Sequence, residues 1–184
     1  MDFRNYTLLE LPHNLGLVPA AGGDRDWGVT IVRNFLYAAL MQGMWTALAQ
    51  APDADLAAIG AKSLKEVRYH LQHASDWMVR LGDGTEHSHA RMQAALDYLM
   101  PFTEEFWTDS EVDAQGRALQ VDVVALRSAW DRTVDAVLAE ATLSRPAATH
   151  GYVTQGKSGV HSEHLSYLLA EMQSLTRAHP NAQW

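Results

Sequence analysis

Four side chains in one short run, Glu66, Tyr69, His70 and His73, are of types that bind metal ions. Carboxylate-bridged di-metal bundles use Glu-x-x-His, which projects both ligands from one helical face into the core. Three residues after Glu66, however, stands Tyr69. His70 is one step out of phase, about 100° round a helix. A tyrosinate can bind ferric iron, but a neutral phenol is a poor ligand for ferrous iron or zinc. Glu66 and His70 at i, i+4 have a chelating spacing that is also common on solvated faces. The favoured reading is a set of hydrogen-bonded or solvated polar residues. Glu66, Tyr69, His70 and His73 are at most the remnant of a metal site, and no catalytic residue or intact metal site is assigned.

Two further groups have chemical potential. Lys62, Lys65 and Arg68 could receive the phosphates of a nucleotide-like ligand, although a solvated face paired with carboxylates explains them more simply. The run His161-Ser162-Glu163-His164 could ligate a metal or act as acid and base. The better reading is a helix start, with Ser162 capping and Glu163 meeting the positive end of the dipole. Glu171 follows His164 by seven residues among Leu168, Leu169, Met172 and Leu175, and would need a partner if buried. No phosphate loop, nucleophile elbow or dinucleotide fingerprint occurs.

The first four residues belong to the run 53–81, which has no proline and carries Asp53 and Gly82 as start and stop signals. Leu64, Val67, Leu71, Ala74, Met78 and Leu81 give it a helical packing seam. Ile59, Ser63, Glu66, His70, His73 and Trp77 form the opposite face. Before it, Asp26 caps a nearly uncharged helix over 27–50, with Arg33 the only charge between Val29 and Ala49. The short turn between the two makes them antiparallel neighbours. Residues 1–25 read as an irregular arm whose leucines lie over an apolar surface. Thr85 opens a third helix with Met92, Leu96, Leu99, Phe102 and Phe106 inward, which Pro101 should kink or end. Residues 109–120 read as a loop, and a fourth helix is expected over 123–143 with Trp130 and Val134 inward. Residues 144–160 form a long irregular segment, of the kind that is functional or docked. A last helix is expected over 161–178, with Leu165, Leu168, Leu169, Met172 and Leu175 inward. The fold class is all-α, a single bundle-like domain over 1–184 with about five helices.

Composition narrows the function. A net charge of −8 argues against nucleic acid as a partner. The chain has no cysteine, which removes thiolate chemistry and suits a reducing cytoplasm. The mean hydropathy of −0.19, with Arg33, Asn34, Gln42 and Gly43 in the apolar helix, weighs against a membrane span. No basic region followed by an apolar run marks a secretory signal.

Several stretches, namely KSLKEVRYHLQHASDWMVRLGDGT, RMQAALDYLMPFTEEFW, EATLSRP and above all GKSGVHSEHLSYLLAEMQSL, resemble the PaaC-type subunit of phenylacetyl-CoA epoxidase, a multicomponent ring oxygenase. The resemblance covers essentially the whole chain. It implies a ferritin-like helical bundle and a cytoplasmic, catalytically silent subunit of phenylacetate catabolism. The partner it implies is a PaaA-type subunit that carries the di-iron centre, while this subunit holds no cofactor. Glu66-x-x-Tyr69 resembles a ligand motif whose histidine has been replaced. Members of this family have two more long helices before the point that matches Met1, so a bundle incomplete at its N-terminus is expected, with its lost cover supplied by the arm or by a homodimer. Two alternatives are an independent ferritin-like di-metal oxidase using Glu66, His70, His73, His164 and Glu171, and an acyl-CoA-binding module using Lys62, Lys65 and Arg68.

Overall fold

The computed structural model describes residues 4–11, 26–147 and 154–183. Among these residues the chain is all-α, with seven α-helices and short 3₁₀ segments, and its one β element is an isolated bridge between Gln155 and Val160. The five expected long helices are present, with two short ones added.

The bundle is organised on an antiparallel pair, α2 (Trp27–Leu48) and α3 (Ala54–Gly82). Asp26 accepts from the Gly28 N–H at 2.8 Å, and Asp53 accepts from Asp55 and Leu56, both at 3.0 Å. These carboxylates satisfy amides that a helix start leaves without partners. The first half of α2 is the centre of the core, with Val32, Phe35 and Leu36 fully buried. That burial accounts for its lack of charge, and no helix among the described residues is long and apolar enough to cross a membrane. The seam of α3 turns inward through Ala74 and Met78, while Leu64, Val67, Leu71 and Leu81 are half-buried.

The pair touches closely where α2 gives way to α3. A methyl group on Gly60 would stand 2.7 Å from the Ala49 nitrogen and 2.9 Å from the Leu48 carbonyl carbon. Both are backbone atoms, so nothing flexible can yield. Alanine gains about 1 kcal/mol in helix propensity over glycine, but the clash should outweigh it. We expect Gly60→Ala to lower stability by about 1–3 kcal/mol, read from the urea midpoint.

Helix α4 (Glu86–Leu99) begins at Thr85, which with Ser88 makes a reciprocal capping box. Its stripe Met92, Leu96, Leu99, Phe102 and Phe106 is buried as expected. Pro101 ends the α-helix at Leu99, and the chain continues as a 3₁₀ helix, Met100–Trp107. Helix α6 (Arg127–Glu140) packs with Trp130, Val134 and Leu138 inward, and the Trp130 indole N–H donates to the Leu36 carbonyl at 3.0 Å. Gln93 pairs twice with the Ser144 backbone, and Arg145 bridges Asp131 and Asp135. The run ATLSRP is thereby tied to α4 and α6.

Several expectations need correction. The arm is helical at Thr7–Glu10 (α1), where Leu8 and Leu11 are buried; the rest of its breaker residues, 12–25, lie outside the described residues. The expected loop at 109–120 holds α5 (Glu111–Ala118), because Ser110 caps it by accepting from the Asp113 N–H. The fourth helix starts at Arg127 after a 3₁₀ turn over Val124–Leu126. The last helix, α7 (His164–Ala178), begins later than expected, and of its apolar stripe only Leu165 is buried. Ser162 does not cap α7, since its N–H and hydroxyl are both directed to Glu10.

Candidate functional site

Helix α3 positions the residues that first suggested a metal, and it turns them outward. Glu66, His70 and His73 are exposed, and Tyr69 is 70% exposed. The Tyr69 ring stacks on His73 with centroids 6.2 Å apart, and His73 meets the edge of Trp77 at 6.5 Å. All of these groups stand on one helix. A di-iron pair needs carboxylates and imidazoles converging from several facing helices. Among the described residues no group of three or more His, Cys, Asp or Glu side chains is placed to hold a metal ion. Glu66, Tyr69, His70 and His73 therefore do not fit a di-iron centre. Glu171 is exposed and His164 half-buried, both on α7.

The basic group also lies on α3. Lys62 and Lys65 are exposed on α3. Arg68 lies farther along, in an open groove between α3 and α6 that also holds Arg80, Asp76 and Glu140. The groove has as many carboxylates as arginines, which is a poor receptor for a polyphosphate.

The structure instead brings together a buried polar cluster whose joint role the sequence did not reveal. It joins α1, the 3₁₀ helix over Met100–Trp107, α5 and the segment 155–162. Glu105 accepts from the Thr7 N–H at 2.9 Å and from the Lys157 N–H at 2.7 Å. The Lys157 ammonium pairs with Asp113 at 2.9 Å, donates to the Phe106 carbonyl at 3.3 Å and lies over the Tyr6 ring. Asp113 also accepts from the Ser110 hydroxyl at 2.6 Å. Glu10 accepts from the Ser162 N–H and hydroxyl, each at 2.8 Å, and its other oxygen lies 2.6 Å from His161 Nδ1. Glu10, Glu105, Asp113 and Lys157 are all buried.

Glycine makes this junction close. A Cβ on Gly156 would collide with the Asn5 carbonyl oxygen and stand 2.8 Å from a Glu10 oxygen. Gly159 takes a left-handed φ of 86°, which closes the turn after Lys157. The GKSG sequence thus inserts a lysine among carboxylates; it makes no phosphate loop. Beside it is a small, mostly apolar pocket of about 310 Å³, lined by Tyr6, Tyr37, Met44, Asp113, Val123 and Lys157. Burial, and next the negative charge of Asp113, hold the Tyr6 phenol protonated well above its ordinary range, and burial also raises the Tyr37 phenol.

Each buried carboxylate is already engaged by protein N–H or O–H groups or by Lys157. Such acids hold chain segments in register, because a buried charge is stable only when paired and hydrogen-bonded. Fold and cluster together define an all-α bundle whose buried acids tie distant segments together and whose metal-type residues face outward on one helix.

The family model described as phenylacetic acid catabolic protein matches residues 1–184. The C-type subunit of the 1,2-phenylacetyl-CoA epoxidase of Escherichia coli (strain K12) is 42% identical over 173 residues, covering 93% of this chain and 68% of the relative. The chain belongs to the phenylacetic acid catabolic protein family, and its resemblance to the PaaC type holds over nearly its full length.

Proposed function

We propose that this chain is a non-catalytic structural subunit of a multicomponent phenylacetyl-CoA epoxidase, working in the cytoplasm and pairing with a PaaA-type subunit that carries the di-iron centre. The partner's iron would supply oxygen activation, and this chain would supply a rigid bundle against which the partner is held. The observation that supports this reading is the fate of the acidic and imidazole groups. Those in the near-miss of a ligand motif, Glu66 and His70, are solvated on one helix, while the buried acids Glu10, Glu105 and Asp113 are engaged by donors of this chain.

Co-expression with the catalytic partner tests it. The two chains should co-elute as a heteromer, and epoxidation of phenylacetyl-CoA should require both. The Glu66→Ala/His70→Ala double variant should leave the activity of that heteromer unchanged. Loss of activity in the double variant, with co-elution intact, would assign chemistry to α3 and overturn the proposal.

A further inference from the structure

The pocket beside Lys157 is assembled from separate parts of the chain. Tyr6 immediately precedes α1, Tyr37 and Met44 stand on α2, Asp113 belongs to α5, and Val123 lies just beyond it. Most of the wall is apolar, yet its polar groups have unused bonding capacity. Ser110 and Lys157 both engage one Asp113 oxygen, Oδ2. The other oxygen, Oδ1, accepts no hydrogen bond from the described residues, although Asp113 is only 6% exposed. The Tyr6 and Tyr37 hydroxyls also have no hydrogen-bond partner among the described residues. None of these three oxygens is sealed in the protein, so they open on the cavity that their residues line. Asp113 and Tyr37 both act electrostatically on the Tyr6 hydroxyl, so the three groups converge. A few convergent polar groups in an apolar wall are the makings of a small-molecule site.

We infer that this pocket binds a small neutral aromatic molecule bearing one hydroxyl group, which donates to Asp113 Oδ1 and accepts from Tyr6 or Tyr37. Charge selects the neutral class. Arg4 and Lys157 both line the pocket, but each already has a partner, so neither is left for an anion. Lys157 also neutralises Asp113 at 2.9 Å, which leaves no net charge to draw an ammonium. Burial keeps both phenols protonated at neutral pH, so they serve as donors. Size and lining select a single ring. An apolar cavity of about 150 Å³ takes benzene, and one of about 310 Å³ takes a substituted ring. The Met44 thioether and the Tyr6 and Tyr37 rings, edge to face at 6.3 Å, favour a flat π-system over an alkyl chain.

The test is fluorine NMR titration of the full chain at neutral pH. The probe is para-fluorophenol, compared with fluorobenzene, para-fluorobenzoate and para-fluorobenzylammonium. The phenol should occupy one saturable site, about tenfold tighter than each comparison, since only it satisfies the unused oxygens without adding charge. Tyr6→Phe/Tyr37→Phe removes two hydroxyls that make no hydrogen bond among the described residues. It should weaken the phenol about tenfold and leave fluorobenzene unchanged. Val112→Trp, at a wall position that is 48% exposed, adds bulk without entering the core and should abolish binding. Circular dichroism checks that both variants keep the wild-type fold. Equal affinity for the phenol and fluorobenzene would overturn the hydroxyl recognition. Tighter binding of the benzoate or the benzylammonium would overturn the neutral class. No saturable binding, or binding that both variants leave unchanged, would overturn the site itself.

Discussion

Replacing Lys157 with methionine should destabilise the fold by about 3–5 kcal/mol, the scale for removing one partner of a buried ion pair. The methionine chain is close in size and still fills the space, so the loss is electrostatic. Asp113 would keep the Ser110 hydroxyl but lose its counter-charge 2.9 Å away, and the Phe106 carbonyl would lose a donor. Adding Asp113→Asn should return much of the loss, because the orphaned charge is then gone. A double-mutant cycle from urea unfolding measures this. Equal and additive losses would mean that the pair is not coupled as its geometry requires.

Glu10→Ala should release the start of α7. Hydrogen bonds to a charged acceptor are each worth about 1.5–3 kcal/mol and do not add fully. Removing the acceptor of the Ser162 N–H and hydroxyl, which also faces His161, should cost about 2–4 kcal/mol. The loss should be local. Amide exchange over 155–178 should accelerate strongly, while α2 and α3 keep their protection, since their packing does not involve Glu10. Uniform acceleration across the chain would mean that the anchor supports the whole bundle. Unchanged exchange in α7 would mean that Leu165 alone holds the helix.

Much of the scaffold was legible because its signals are local. The run 53–81 has no proline, and Asp53 sits immediately before its first turn, so α3 appears almost residue for residue. Pro101 ended α4 for the backbone reason its ring imposes. Helix α5 escaped because Gly116 and a polar composition resemble a loop, although Ser110 with Asp113 three residues on was a readable start signal. The apolar period of α7 was read correctly, but a period tells which side is greasy and not what covers it. Leu168, Met172 and Leu175 are therefore exposed where burial was expected.

The polar cluster was illegible for a different reason. Thr7 and Glu105 are 98 residues apart, and Glu105 and Lys157 are 52 apart. No spacing rule links acids to a lysine across such distances. The nearest hint was that GKSG opened the most distinctive stretch of the chain. On α3 the signal was local: Glu66 and His70 are out of phase for a Glu-x-x-His pair, and both are exposed.

Elemental analysis of this chain, isolated alone from iron-replete cells, addresses the central claim most directly. A structural subunit whose acids are internal acceptors should retain no stoichiometric iron, and Glu66→Ala should change nothing. Iron bound at one or more atoms per chain, and released by Glu66→Ala, would contradict the account.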